Sequence, residues 1–405
     1  MISAIPDSSL SQPDELPSSK LIPFPHRRSI LLFCAANFLF WAGLYLYVPI
    51  LPVYIQSLDT SLYMVGLVIA AYAIPQVLLR IPIGILADNL QRRKPLMVAG
   101  MIFALLGALW LWFSGNLWLL FLARMVTGIG AATWVIFPIY FIAYYPLKES
   151  GRAIGLINFV QNAALVAATA SGGALAQMFG PRQTFFGAAI IGVLGLGVLF
   201  FTKEPSRNQM KVRRWQDFSS VATCPLLITI SVMGILLHFV TFAGVFSFLP
   251  IYANEIGASS ADIGLITMLN MGLSTLGSLC AVWLWEKFGI RVTIIFGSLL
   301  IGISLFAIPF IQDIPLLMAV QISYGLGRGV LMTTFMALSI RNVRHEHQAT
   351  AMGIYQAVYA VGMLLGPLTS GFLSDRLGLS NAFYLSALIS LLISALVFIP
   401  VFPKR

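Results

Sequence analysis

Charge is scarce in this sequence: only 9% of its 405 residues are Asp, Glu, Lys or Arg. Soluble domains carry roughly 25%, so a surface facing water could not be covered. Acid is scarcer still. The 14 Asp and Glu residues fall in the N-terminal stretch, in connecting segments or at the ends of apolar blocks, Asp88, Glu255, Glu286 and Asp375 among them. None lies mid-block. The 3 cysteines, Cys34, Cys224 and Cys280, are odd in number, lie in or beside apolar segments and lack metal-ligand spacing, so buried free thiols are expected rather than a disulfide framework or a metal site. No Gly-x4-Gly-Lys-Ser/Thr segment occurs, which excludes a built-in ATP motor. The blocks also hold no catalytic dyad, so an intramembrane enzyme is not indicated.

Apolar length is what the sequence has instead. Hydrophobic residues make up 59% of the chain, gathered into blocks of about 20, the length that crosses a bilayer as a helix. Twelve such spans are expected, over residues 29–55, 63–86, 95–114, 117–144, 153–178, 183–202, 225–252, 261–285, 292–311, 315–340, 350–374 and 381–402. The fold class is an all-α membrane protein. Residues 1–28, rich in Ser and Pro, lack a signal-peptide pattern and are read as a disordered tail. The polar, basic stretch 203–224 is the one long internal linker, dividing a six-span unit at 29–202 from another at 225–405.

The net charge of +10 raises nucleic acid as a partner, and its distribution removes it. Of 24 Lys and Arg, 19 fall in the tail and in alternate connections, Arg92, Arg93, Lys94, Lys148, Lys203, Lys287, Arg291 and Arg341 among them. The opposite connections hold only Arg182 and Arg376. That is the positive-inside pattern, and it predicts both termini in the cytoplasm of a protein of the inner membrane.

Self-comparison finds a duplication. At an offset of 198, Pro52 and Tyr54 fall on Pro250 and Tyr252, Gly66 on Gly264, Asp88 on Glu286, Arg93 on Arg291, Gly155 on Gly353 and Gly173 on Gly371. Six spans per repeat give both halves the same orientation, related by an axis along the membrane normal. Carriers built this way hold their solute between the halves, near the midplane.

The connection after span 2 reads Gly84-Ile-Leu-Ala-Asp88-Asn-Leu-Gln-Arg92-Arg93. It resembles the Gly-x-x-x-Asp-Arg-x-Gly-Arg-Arg signature of the major facilitator superfamily; Gly84, Asp88, Arg92 and Arg93 match, and Asn89 and Gln91 depart. A glycine there lets helices approach, and a carboxylate can meet the positive N-terminus of another helix. The resemblance implies two pseudo-symmetric six-helix bundles, with Asp88 latching onto the start of span 11 in the outward-facing state. Arg124-Met-Val-Thr-Gly128 resembles the Arg-x-x-x-Gly motif of span 4 in the same family. Span 11 carries Gly353, Gly362, Gly366 and Pro367, a helix-packing pattern similar to one that drug–proton antiporters keep in span 5. Here it stands in the other half.

Charged residues inside spans cost about 2.5–3.5 kcal/mol each on insertion scales and mark function. Arg80, one turn before Gly84, can snorkel to the cytoplasm. Arg124 is read either as a cavity residue or as structural. Arg328 lies deepest, and Gln321, Tyr324 and Arg328 share one helix face. The family places spans 1, 4, 7 and 10 around the cavity, so this stripe is expected to be wet, with Arg328 meeting solute or a gate, or else pairing structurally. His238 is read as a core histidine before a proton carrier. Asn37 and Trp41 in span 1 and Asn158 and Gln161 in span 5 are candidates for the cavity wall or for inter-helix bonding. Gly325-Leu-Gly327-Arg-Gly329 lies within an apolar span and is read as tight packing, not as a nucleotide loop.

The expected function is a secondary transporter of a small organic solute working by alternating access, with efflux favoured and an anionic substrate matching the buried positive charge. Uptake or uniport on the same fold, or a sensor or lipid-handling role, are the alternatives. No cofactor is expected beyond a coupling proton or other ion, and the partners are the solute and the lipid bilayer, with one chain acting as a monomer.

Overall fold

The structure, a computed structural model, describes residues 27–90, 92–146, 149–204, 221–344 and 347–400, without the side chains of Asp88, Asn89 and Ala349. Nearly all of the expected tail, the linker from 205 to 220 and the Asp88 carboxylate thus lie outside the described residues.

Ten of the described helices are long and apolar enough to cross a membrane. One of these, Ser260–Phe310, is 51 residues long and breaks in two, and Ser380–Leu396 is a further, shorter apolar helix, so the spans number twelve. Span 1 is Arg27–Tyr45 with Leu51–Gln56, span 2 is Leu62–Ala70 with Ala73–Asn89, and span 3 is Lys94–Phe113. Span 4 is Leu117–Ala132 with Ile136–Ile142, span 5 is Ser150–Phe179 and span 6 is Pro181–Phe200. Span 7 is Pro225–Ala243 with Leu249–Glu255, and spans 8 and 9 are the two limbs of Ser260–Ala307. Spans 10, 11 and 12 are Ile314–Arg341, Gln348–Leu377 and Ser380–Leu396. Spans alternate in direction. Spans 2, 4, 8 and 10 begin at one face, called here the far face, where spans 5 and 11 end; Arg92, Arg93 and Lys94 lie at the opposite, basic face.

The repeat is visible in the irregularities. Residues 46–50 interrupt span 1, and the π-helical turn Gly244–Phe248 interrupts span 7, 198 residues later. Pro52 and Pro250 stand in the first turn of the short helix after each, where a missing N–H costs nothing. The loop expected between spans 8 and 9 is instead a single residue, Gly289, at φ 83° and ψ 164°. Glycine takes that left-handed backbone without a Cβ clash, so the chain reverses within one residue.

Large apolar side chains such as Leu78, Phe113, Phe200, Leu279, Ile303 and Leu388 are exposed on the outside, as lipid-facing helices require. Cys280 is exposed with them, while Cys34 and Cys224 are half-buried; all three are free thiols, so the expectation of apolar burial is corrected for Cys280.

The halves meet along two seams, span 2 against span 11 and span 5 against span 8. Both are tight toward the far face. A Cβ on Gly66 would overlap the Pro367 carbonyl, and one on Gly264 would stand 2.8 Å from the Thr169 carbonyl and 2.7 Å from the Gly173 Cα. Toward the basic face the seams loosen: Gly84, Gly155 and Gly353 have nothing within 4 Å of where a Cβ would stand. The protein is therefore closed at the far face and parted at the basic one. Gly84 makes no close helix approach in this conformation, which leaves a latch of the outward-facing state untested, and the expectation that Gly353 is a packing glycine is corrected, because no described neighbour stands against it. Gly362 and Gly366 pack within their own half, against the Ile235 and Phe239 carbonyls of span 7. Gly325, Gly327 and Gly329 press on the backbones of spans 8 and 9.

The contrast within span 11 is testable by thermal unfolding in detergent. Gly362→Ala should lower stability by about 1–3 kcal/mol, the cost of overpacking. Gly353→Ala should be neutral or stabilising by up to about 1 kcal/mol from helix propensity. Equal losses for the two would contradict the packing described.

Candidate functional site

Three guanidinium groups enter the space between the halves from three spans. Counted from the far-face start of each span at about 1.5 Å per residue, Arg124, Arg328 and Arg80 stand roughly 10, 21 and 27 Å deep. The phenol of Tyr45 in span 1 lies in the field of all three. No Asp or Glu stands mid-span to balance them.

Each arginine is held differently. Arg124, 3% exposed, lies over the ring of Tyr72 at 4.5 Å and that of Tyr47 at 5.9 Å. Its Nη1 donates a long hydrogen bond of 3.5 Å to the Tyr47 hydroxyl. Aromatic faces offer a cation negative charge density without a carboxylate. The void beside Arg124, walled by Tyr45, Tyr72, Phe242 and Phe246, holds only about 20 Å³, room for about one water. Arg124 is sealed in.

Arg80 does not snorkel. It is 5% exposed, and its Nη1 donates to the Gln356 carbonyl of span 11 at 2.7 Å, bridging the halves. Its Nη2 donates to the Gln76 side chain one turn back. The guanidinium also stands 5.1 Å above the Tyr359 ring. Tyr359 stacks on His238 as well, with ring centres 3.7 Å apart and planes 4° from parallel. His238 Nδ1 lies 2.9 Å from the Gly234 carbonyl; a carbonyl only accepts, so Nδ1 carries the proton. The imidazole is thereby fixed as one tautomer within a stack that ties spans 7 and 11 to span 2.

Arg328 is the least satisfied. Its guanidinium makes one weak bond, Nη1 to the Met271 sulfur at 3.5 Å, with the phenols of Tyr324 and Tyr45 nearby, and it is only partly buried. The rest of its expected stripe is not wet. Gln321 and Tyr324 are both fully buried, and Gln321 accepts a 3.2 Å hydrogen bond from Asn270 of span 8. They face neighbouring helices because tight glycine contacts bring spans 8 and 10 together on that side.

Among the other candidates, Asn37 is fully buried and donates to the Ile157 carbonyl of span 5; it bonds helix to helix. Trp41 packs edge-on against Trp134 of span 4 at 5.0 Å, with Nε1 unpartnered. Asn158 and Gln161 are half-buried on span 5. Arg93 is buried, its backbone N–H donating to Glu204 at 2.6 Å and its Nε to the Ala87 carbonyl at 3.2 Å, while Arg92 is exposed. The structure thus brings Arg80, Arg124 and Arg328 within the field of Tyr45, stacks His238 on the tyrosine beneath Arg80, packs Trp41 among rings of its own half, and assigns Asn37 and Gln321 to helix contacts. On sequence alone the nearness of Arg80 to the basic face fits snorkelling; the carbonyl that holds it belongs to another helix, a partner invisible in local sequence.

The helix-contact assignment predicts a double-mutant cycle. Asn270→Ala and Gln321→Ala should show a coupling of about 0.6 kcal/mol in unfolding free energy, typical of inter-helix polar pairs in membranes. Zero coupling would remove the bond from the account.

Comparison with known proteins places this geometry. The family described as the Major Facilitator Superfamily matches residues 33–257 and 231–405. An uncharacterized MFS-type transporter of Methanocaldococcus jannaschii is 22% identical, covering 90% of this chain and 96% of that protein. Multidrug resistance protein MdtG of Proteus mirabilis is 23% identical over 86% of this chain and 90% of its own. Among solved structures, a bacterial homolog to the human lysosomal transporter Spinster, inward-facing and unoccupied, superimposes with a TM-score of 0.80. Its identity is 16%, covering 93% of this chain and 97% of that one; at that level the likeness carries the fold alone.

Proposed function

The chain belongs to the major facilitator superfamily, and on that premise we propose that it is a secondary carrier exporting a small organic solute with an anionic group by alternating access. The basic face is the cytoplasmic one, as the positive-inside distribution of Lys and Arg argues. Both termini then lie in the cytoplasm, and the parted conformation receives solute from within. Efflux is supported by relatives such as the multidrug resistance protein MdtG. Both halves lie in one chain, so one copy holds a whole site.

Arg328 is the observation that carries the anionic reading. A guanidinium at mid-depth, with a thioether as its hydrogen-bond partner and no mid-span carboxylate, stands uncompensated in a medium where unpaired charge is costly. A carboxylate, sulfonate or phosphate on the solute supplies the missing counter-charge and accepts from the fork of the guanidinium. Arg80 lies further toward the open side, and its bond to the Gln356 carbonyl can be exchanged for the same anion. Arg124, behind its water-sized void, acts at a distance. The acid-free spans also favour uniport or a coupling ion other than a proton on a buried carboxylate.

Flux in proteoliposomes tests this. Across a panel of organic anions and cations, with and without a pH gradient, anions should move, and Arg328→Gln should weaken their transport roughly ten- to hundredfold, the value of a charge-assisted hydrogen bond. Arg328→Lys should recover part of the loss. Movement of cations alone, or of no solute in the panel, would sink the proposal.

A further inference from the structure

The start of any helix leaves its first N–H groups without partners in the helix itself. In span 2, Ser61 caps one of these locally, its Oγ accepting from Met64 N–H at 3.3 Å. In span 8, Ser259 accepts from Asp262 N–H at 3.2 Å, and the Asp262 carboxylate accepts from Ser259 N–H in return. The remaining donors look across to the other half. Leu62 N–H donates to Asp375 Oδ1 at 2.7 Å and Tyr63 N–H to Oδ2 at 3.1 Å, while Ser260 N–H donates to Gln177 Oε1 at 3.1 Å.

These two contacts are one contact made twice. Leu62 and Ser260 are 198 residues apart, and so are Gln177 and Asp375. Each stands four residues beyond one of the crossing glycines: Leu62 from Gly66, Asp375 from Gly371, Ser260 from Gly264 and Gln177 from Gly173. Residues four apart lie one above the other on a helix face. The glycine crossings therefore deliver each acceptor side chain to the open end of the opposing helix, where it can bond only while the far face is shut. Asp59 also stands at this face, yet among the described residues no contact ties it to a helix start of the other half.

We propose that Asp375 and Gln177 form a symmetric pair of far-face latches, each capping across the halves the first turn of span 2 or span 8, with the charged member, Asp375, setting how readily that face opens. A full negative charge against the positive end of a helix holds more strongly than a neutral amide. When the halves part at the far face, water replaces both acceptors at once.

The test reads the far face directly and needs no substrate, so it stands apart from the fate of the anion proposal. Spin labels at Gly115→Cys and Gln312→Cys, in a chain with Cys34, Cys224 and Cys280 replaced by Ser, report the distance across the far face by pulsed resonance. Asp375→Asn should raise the weight of the open distance relative to the closed one roughly two- to fivefold, the range expected for one charge at a helix end. Adding Gln177→Glu to that variant should return the weight toward the starting value, because it restores the charge at the symmetry-related latch. Asp59→Asn, which removes a far-face charge that caps nothing across the halves, should leave the distribution unchanged. An unaltered distribution in Asp375→Asn, an equal shift in Asp59→Asn, or no recovery with Gln177→Glu would overturn the proposal.

Discussion

Backbone contact between the halves at two glycine crossings is the constraint on which the rest of this structure depends. Gly66 of span 2 lies against Pro367 and Gly371 of span 11, and Gly264 of span 8 lies against Thr169 and Gly173 of span 5. Lipid tails provide no hydrophobic reason for apolar helices to associate, so close packing of small residues must supply it. These crossings lie near one end of their spans. They hold the far face shut, and the same helices diverge from there toward the basic face, where Gly84, Gly155 and Gly353 stand in open space. A single geometry thus gives both the seal and the opening.

Inside that wedge the three cations differ in what holds them. Arg124 sits where the wedge is narrow and is satisfied by tyrosine faces. Arg80, further toward the open side, reaches the other half and takes a backbone carbonyl. Arg328 lies between them with a thioether for company. Buried positive charge without buried acid is costly, and Arg80 and Arg124 meet that cost with a carbonyl and with ring faces. His238 and Tyr359 do different work: their stack lies beneath Arg80 and orients it.

Much of this was legible in the residues. The length of the apolar blocks, the one-sided Lys and Arg, and the offset of 198 between halves required twelve spans in two like-oriented sets. The offset even encoded the crossings, since it matched Gly66 with Gly264 and Gly173 with Gly371. It could not say that each glycine meets the other pair's member across the interface. Gln321 and Tyr324 are covered by neighbouring helices; spacing on span 10 identifies a shared face without saying what covers it. Gly353 misled for a related reason: its place in a glycine pattern carries no information about whether its end of the span is in contact.

By itself, then, the sequence determined what hydropathy and covalent order can dictate: a lipid-embedded chain of twelve helices, duplicated, with its positive charge on one side and its only deep charges cationic. Tertiary structure alone decided which of those cations has a partner, which glycines touch, and that Asp375 and Gln177 cap helices in the opposite half. The physical reason is that partners such as the Gln356 carbonyl and the first N–H groups of spans 2 and 8 are backbone atoms. Every residue carries a carbonyl and every residue but proline an N–H, so side-chain identity does not mark them, and only the approach of two helices turns one into a site.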